Sequence, residues 1–228
     1  MQFKTRFAIL LLLVAGFAGP LARAQTPLAG ARDDPDLKRA WSEYQARHFA
    51  TAARFYERAA HRGQPVGEYN YAMMLINGEG VHRNAPEAYR WLRRAADSGL
   101  AVAQYTEGQL YERGDGVERS QSEAVRWFHL AAEQGEVDAQ VALATQYYLG
   151  RGVPRDLALA AHWYQSAAEA GDVGAQYIIA SCYEHGDGVA ADPDLALYWY
   201  ATAALQGDVA AGAKARALAA ARAPDKSM

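Results

Sequence analysis

The chain has 228 residues, of which 51% are hydrophobic and 21% charged, with a formal net charge of −3. That composition can bury a core and is not that of a disordered chain. The acidic balance argues against nucleic acid and anionic lipid as partners, and the single cysteine, Cys182, excludes an internal disulfide.

Lys4 and Arg6 precede an almost unbroken apolar run from Phe7 to Phe17. Gly19-Pro20 breaks the run, and Ala22-Arg23-Ala24 has the small-x-small pattern of a signal-peptidase site. Residues 1–24 are therefore expected to be a secretory signal peptide. The alternative, a membrane anchor, fits less well because a spanning helix needs roughly 20 apolar residues. No cysteine stands at the cleavage point and no twin-arginine pair precedes the run, so export in an unfolded state is expected, without a lipid anchor. The leader holds three positive charges and no acid, so the mature chain would carry −6. No later segment is long and apolar enough to span a bilayer. A periplasmic or secreted protein, not inserted in a membrane after cleavage, follows. Residues 25–34 read as a flexible tail.

The next segment, 35–63, reads Leu37-x-x-Ala40-Trp41-x-x-Tyr44, then Phe49-x-x-Ala52-x-x-Phe55-Tyr56-x-x-Ala59. Both runs have helical spacing, and only a tight turn near Arg47 separates them. From there the chain repeats every 36 residues without insertion. Gly-x-Gly-Val starts at Gly78, Gly114, Gly150 and Gly186. Phe55, Trp91, Trp127, Trp163 and Trp199 keep the same register, as do the Ala-Ala pairs 59–60, 95–96, 131–132, 167–168 and 203–204 and the glycines 63, 99, 135, 171 and 207. Five copies in one register identify a repeat architecture.

Within one copy, Ala124, Trp127, Phe128 and Ala131 fall at i, i+3, i+4 and i+7, one face of a helix that Gly135 stops. Ala139, Leu143, Ala144 and Tyr147 make a second such face, which Gly150 ends. Each unit is thus expected to be two antiparallel helices. Alanines sit where backbones approach, and aromatics fill the space between units. Such a pair cannot bury its apolar stripe alone, so the units must stack. The central residue of Gly-x-Gly is Glu79, Asp115, Arg151 or Asp187. A metal site would not accept arginine in one of four equivalent loops, so the glycines are read as turns with positive φ.

The pattern Ala139-Gln140-x-x-Leu143-Ala144-x-x-Tyr147-x-x-Gly150-x-Gly152-Val153, then Ala160-x-x-Trp163-Tyr164-x-x-Ala167-Ala168-x-x-Gly171, resembles the Sel-one-like repeat, a relative of the tetratricopeptide repeat. The resemblance implies an all-α fold, a right-handed α/α superhelical solenoid, with complete units at 64–99, 100–135, 136–171 and 172–207. Residues 35–63 resemble a plain tetratricopeptide pair. Residues 208–222, which keep the alanines but gain Lys214 and Arg216, read as a capping helix, and 223–228 as a tail.

No catalytic, cofactor or metal residue stands out. The six histidines show no metal-ligand spacing, no serine has a lysine three positions on, and Cys182 falls in a packing position of the repeat. Some cysteine-rich members of the resembled family act on β-lactams, but they carry a disulfide in each unit, which this chain cannot form. By the same resemblance, the Ala-Gln-x-x-Leu helices line a concave groove. Its outward residues would be Tyr69, Met73 and Asn77; Tyr105, Gln109, Glu112 and Arg113; Val141, Thr145 and Tyr148; and Tyr177, Ser181, Glu184 and His185. This Tyr-rich, mixed-polar set suits a protein or peptide partner. Tyr105 and Tyr177 share a repeat offset and have a second reading, as packing residues. The expected function is an exported adaptor that binds protein. The alternatives are a binder of cell-wall fragments or another small polar ligand, and a hydrolase.

Overall fold

The structure, a computed structural model, describes residues 34–222. The expected signal peptide, the tail up to residue 33 and the last residues 223–228 lie outside the described residues. Asp34, the last residue of that tail, is described. It caps the first helix through the amides of Asp36 and Leu37 and pairs with Arg62 at 2.9 Å.

Eleven helices and no strand occupy the described residues: α1 (Pro35–Gln45), α2 (Phe49–His61), α3 (Pro65–Asn77), α4 (Ala85–Asp97), α5 (Ala101–Arg113), α6 (Gln121–Glu133), α7 (Val137–Leu149), α8 (Leu157–Glu169), α9 (Val173–His185), α10 (Pro193–Leu205) and α11 (Val209–Arg222). Each helix packs on the next in the chain, which gives an α/α solenoid of stacked helix pairs. None is long and apolar enough to cross a membrane.

The repeat register reappears as capping chemistry. Asn84, Ser120, Asp156 and Asp192 stand before α4, α6, α8 and α10, and the side chain of each accepts a backbone amide of the first turn. Such caps satisfy donors that a helix start leaves open. At the other end, Gly150 closes α7 with φ 69°, and its amide donates to the Gln146 carbonyl. The second glycine of the same loop, Gly152, has φ 73°, and a Cβ there would lie 2.4 Å from the main-chain oxygen of Gln121. The loop therefore lies directly on the first turn of α6, in the preceding unit. Only a residue without a side chain fits. The glycines end one helix and bring the units together.

The Ala-Ala pairs from 59–60 to 167–168 are buried, as are Trp91, Trp127 and Trp199. Gln104, Gln140 and Gln176 are buried beside them. Each donates through Nε2 to the carbonyl of an alanine in the preceding helix, Ala96, Ala132 and Ala168 respectively. Gln134 then donates to Gln104 and Gln206 to Gln176. In the middle copy the equivalent residue is Ala170, and the Oε1 of Gln140 is buried without a partner. Cys182 is buried and its thiol is pushed up to about 11 by that burial, as expected of a packing residue and not of a nucleophile.

One core position departs from the rest. Tyr71, Leu143 and Ile179 share a repeat offset with Glu107, which is only 2% exposed. Burial pushes its carboxyl up to about 7, against the opposing pull of Arg93.

Candidate functional site: the face of the odd-numbered helices

Helices α5, α7 and α9 are equivalent members of successive units. On each, three residues at i, i+4 and i+7 point to one side: Tyr105, Gln109 and Glu112; Val141, Thr145 and Tyr148; Tyr177, Ser181 and Glu184. All nine are half-buried. Among the even-numbered helices, α4 and α6 are laced with charge at exposed positions, as in the Arg126–Glu123 pair at 2.9 Å, while α8 and α10 expose Leu159, Leu195 and Tyr198.

The structure separates the expected groove residues. Tyr69 is 1% exposed and Met73 5%, so neither offers a surface. α3 is covered by its neighbours along most of its length, and both side chains belong to the core. Asn77 is exposed at the end of α3, where it donates to Glu79. Tyr105 packs on Phe128 with ring centres 5.8 Å apart, and Tyr177 packs edge-on against Tyr200 at 5.2 Å. Both tyrosines thus brace their own unit while their remaining surface stays open. Gln109 donates to the Tyr105 hydroxyl at 2.8 Å. Thr145 bonds the Val141 carbonyl and meets the Tyr164 hydroxyl at 2.9 Å. Tyr148 is half-buried under the Arg155 guanidinium, 5.6 Å from its ring centre. Ser181 and His185 meet one another at the end of α9; His185, Arg113 at the end of α5 and Asn77 are the exposed members of the set.

The two glutamates of the set are held differently. Glu184 accepts from Tyr200 at 2.8 Å and from Lys214 of α11 at 3.0 Å. Burial alone would raise its carboxyl, but those hydrogen bonds outweigh burial and hold it below the usual range. Glu112, its equivalent two units earlier, accepts from the neutral amide of Gln146 at 2.8 Å. Among the described residues, no ion pair reaches Glu112. Burial and then the charges of Asp138 and Glu112 push the nearby Tyr105 hydroxyl well up.

Gln146 and Lys214 are site residues that the sequence reading missed, as is Gln121, whose Nε2 donates to the Glu112 carbonyl at 3.3 Å. Gln146 carries a signal: it is the polar member of an otherwise apolar column, Met74, Leu110 and Cys182. Among the described residues, no group of three or more His, Cys, Asp or Glu could hold a metal ion.

The chain matches the Sel1 repeat over residues 49–64, 65–100, 101–136, 137–172 and 173–208, each full unit starting one residue later than the frame read from the sequence. Among solved structures it is similar to c5321, a protective antigen present in uropathogenic Escherichia coli strains that displays an SLR fold, with 33% identity and a TM-score of 0.73 over 79% of this chain and 39% of that one. It is also similar to a Sel1 repeat protein from Oxalobacter formigenes, at 32% identity and a TM-score of 0.72 over 75% of this chain and 50% of that one. The chain thus spans half or less of the length of these two proteins. The immunity protein PA5088 from Pseudomonas aeruginosa shares the fold, with 20% identity and a TM-score of 0.51 over 83% of this chain and 74% of that one. No curated protein matches the chain.

Proposed function

The chain belongs to the Sel1 repeat family, and from that premise we propose that it is an exported scaffold that binds a partner polypeptide along the face of α5, α7 and α9. The observation that carries the reading is the row of half-buried residues on those three helices, repeated in register from unit to unit. A row spaced by the repeat suits an extended chain that crosses successive units. Its tyrosines supply contact area with a hydrogen-bonding tip. Tyr148 and Thr145 do not recur in the other units, so they give the row its specificity.

The N-terminal leader motif supports export, and the resemblance to a protective antigen accords with it. Mass spectrometry of the protein recovered from the cell envelope tests this part: a chain starting at Gln25 is expected, and an intact N-terminus in the cytoplasm contradicts it. Cys182 is buried with its thiol held protonated, so it serves as no nucleophile in this reading.

The binding claim is tested by peptide selection. A displayed peptide library is panned against the purified protein, and the selected peptides are titrated against Tyr148→Ala and, as a control on the even helices, Arg90→Ala. Loss of about tenfold in affinity for the first variant alone is expected, in line with a hot-spot aromatic. A cell-wall fragment is the contrasting ligand, because the charges of Asp138 and Glu112 both act on Tyr105, with Arg113 opposing them. Binding of muropeptides with no peptide selected would overturn the scaffold reading.

A further inference from the structure

Glu112 and Glu184 occupy the same position two units apart, and their surroundings can be compared residue by residue. Around Glu184 stand Tyr177, Tyr200 and Lys214. The lysine ammonium lies 3.1 and 3.0 Å from the two carboxylate oxygens and 5.9 Å from the centre of the Tyr200 ring. Around Glu112 the equivalents are Tyr105, Phe128 and Ala142. The acidic and aromatic members are kept, and the cation is replaced by a methyl group.

A second observation comes from Gln146, which is 2% exposed. Its Nε2 is committed to Glu112 at 2.8 Å, and its Oε1 is buried without a hydrogen-bond partner. The two atoms belong to one amide, so this unsatisfied acceptor stands beside the carboxylate. Unsatisfied buried acceptors are uncommon and costly. The Glu112 carboxylate and the Gln146 Oε1 are acceptors, and the donors beside them, the Nε2 of Gln109 and of Gln146, are directed at Tyr105 and Glu112, so the complementary ligand is a donor with positive charge. The unit 101–136, which contains Glu112, carries three arginines against seven acidic residues, so its field has the same sign.

From these residues we propose that the Glu112 position, bounded by Tyr105 on α5 and Gln146 on α7, seats a basic side chain of the partner polypeptide. Lys214 performs the same role internally at Glu184. This rests on the reading of the odd-helix face as a polypeptide groove, and it adds the chemistry of one subsite. The partner's ammonium or guanidinium bonds the Glu112 carboxylate. The Gln146 amide, hydrogen-bonded to that carboxylate, holds it in place, and the open surface of Tyr105 covers the aliphatic stem.

The test uses three small probes, the N-acetyl methylamides of lysine, arginine and norleucine, titrated into the purified 15N-labelled protein. The side-chain amide signals of Gln146 are followed by NMR. Lysine and arginine probes are expected to shift these signals, and norleucine, which has the stem without the charge, is expected to leave them in place. Glu112→Gln should remove the response, and Ala142→Lys, which recreates the internal cation, should block it. Equal shifts from norleucine, or an undiminished lysine response in Glu112→Gln, would overturn the proposal. Those results leave the scaffold reading intact, since that reading stands or falls on the peptide selection. Fold retention in both variants is checked by the amide spectrum of α9, away from the mutated positions.

Discussion

The guanidinium of Arg93 lies over the ring of Trp127, 4.8 Å from its centre, and so ties α4 of one unit to α6 of the next. Arg126 lies over the same ring at 4.5 Å, and the tryptophan is 2% exposed. Trp127→Ala is expected to lose about 3–5 kcal/mol, the cost of removing a large buried aromatic. The loss should appear in chemical denaturation, with the transition broadening as neighbouring units uncouple. An unchanged midpoint would contradict a core that runs through this residue.

Arg93 also stands 3.8 Å from Glu107, the buried carboxylate in the column of Tyr71, Leu143 and Ile179. The folded carboxyl titrates at about 7, above its ordinary 4.5. A raised value means that the folded chain holds the proton more tightly than the unfolded one. Its contribution to stability is therefore complete below about pH 4.5 and is lost as pH rises through about 7. The loss from this group is on the order of 3 kcal/mol. Glu107→Gln should flatten the decline in stability between pH 5 and 8 and be the more stable protein at pH 8. Parallel pH profiles for the two proteins would show that Glu107 does not titrate in this window.

Ala170 marks a missing rung. Gln134 and Gln206 donate to the buried glutamines 104 and 176, while the Oε1 of Gln140 has no donor. Ala170→Gln places the amide at the equivalent position and should stabilise by about 1 kcal/mol, a typical net value for one hydrogen bond. A rise in Tm checks it, and the same substitution combined with Gln140→Leu should lose the gain.

The Gly-x-Gly loops separate turn from ligand site. Gly152→Ala meets the Gln121 main-chain oxygen and must hold a positive φ. It should cost more than the roughly 1–2 kcal/mol of the left-handed conformation alone. Arg151→Asp, in the centre of the same loop, should stay within about 0.5 kcal/mol, as an exposed change does. Thermal denaturation of the two variants distinguishes them. A large loss from Arg151→Asp would give the central residue a role that the loop geometry does not.

Much of this fold is legible in the chain because one period governs it. The 36-residue register places Gly150 at a helix end and Ala131-Ala132 at a close approach, and both are found there. The limits appear where cover is decided by neighbours. Tyr69 and Tyr105 share an offset, yet one is 1% exposed and the other half-open, because the helices around α3 enclose it more fully. Periodicity gives the side of a helix, not the depth of its burial. The Glu112–Gln146 hydrogen bond joins residues on two odd helices, and its only trace in the sequence is a polar residue in an apolar column. The same holds for Glu107, whose neighbours in the column are apolar or aromatic.

The most direct test of the binding claim is hydrogen exchange of the protein with and without a selected peptide. New protection is expected to be confined to α5, α7 and α9, strongest around Tyr105, Thr145 and Tyr148, with α4, α6 and α8 unchanged. Protection on the even-numbered helices, with the odd-numbered ones unaltered, would contradict it.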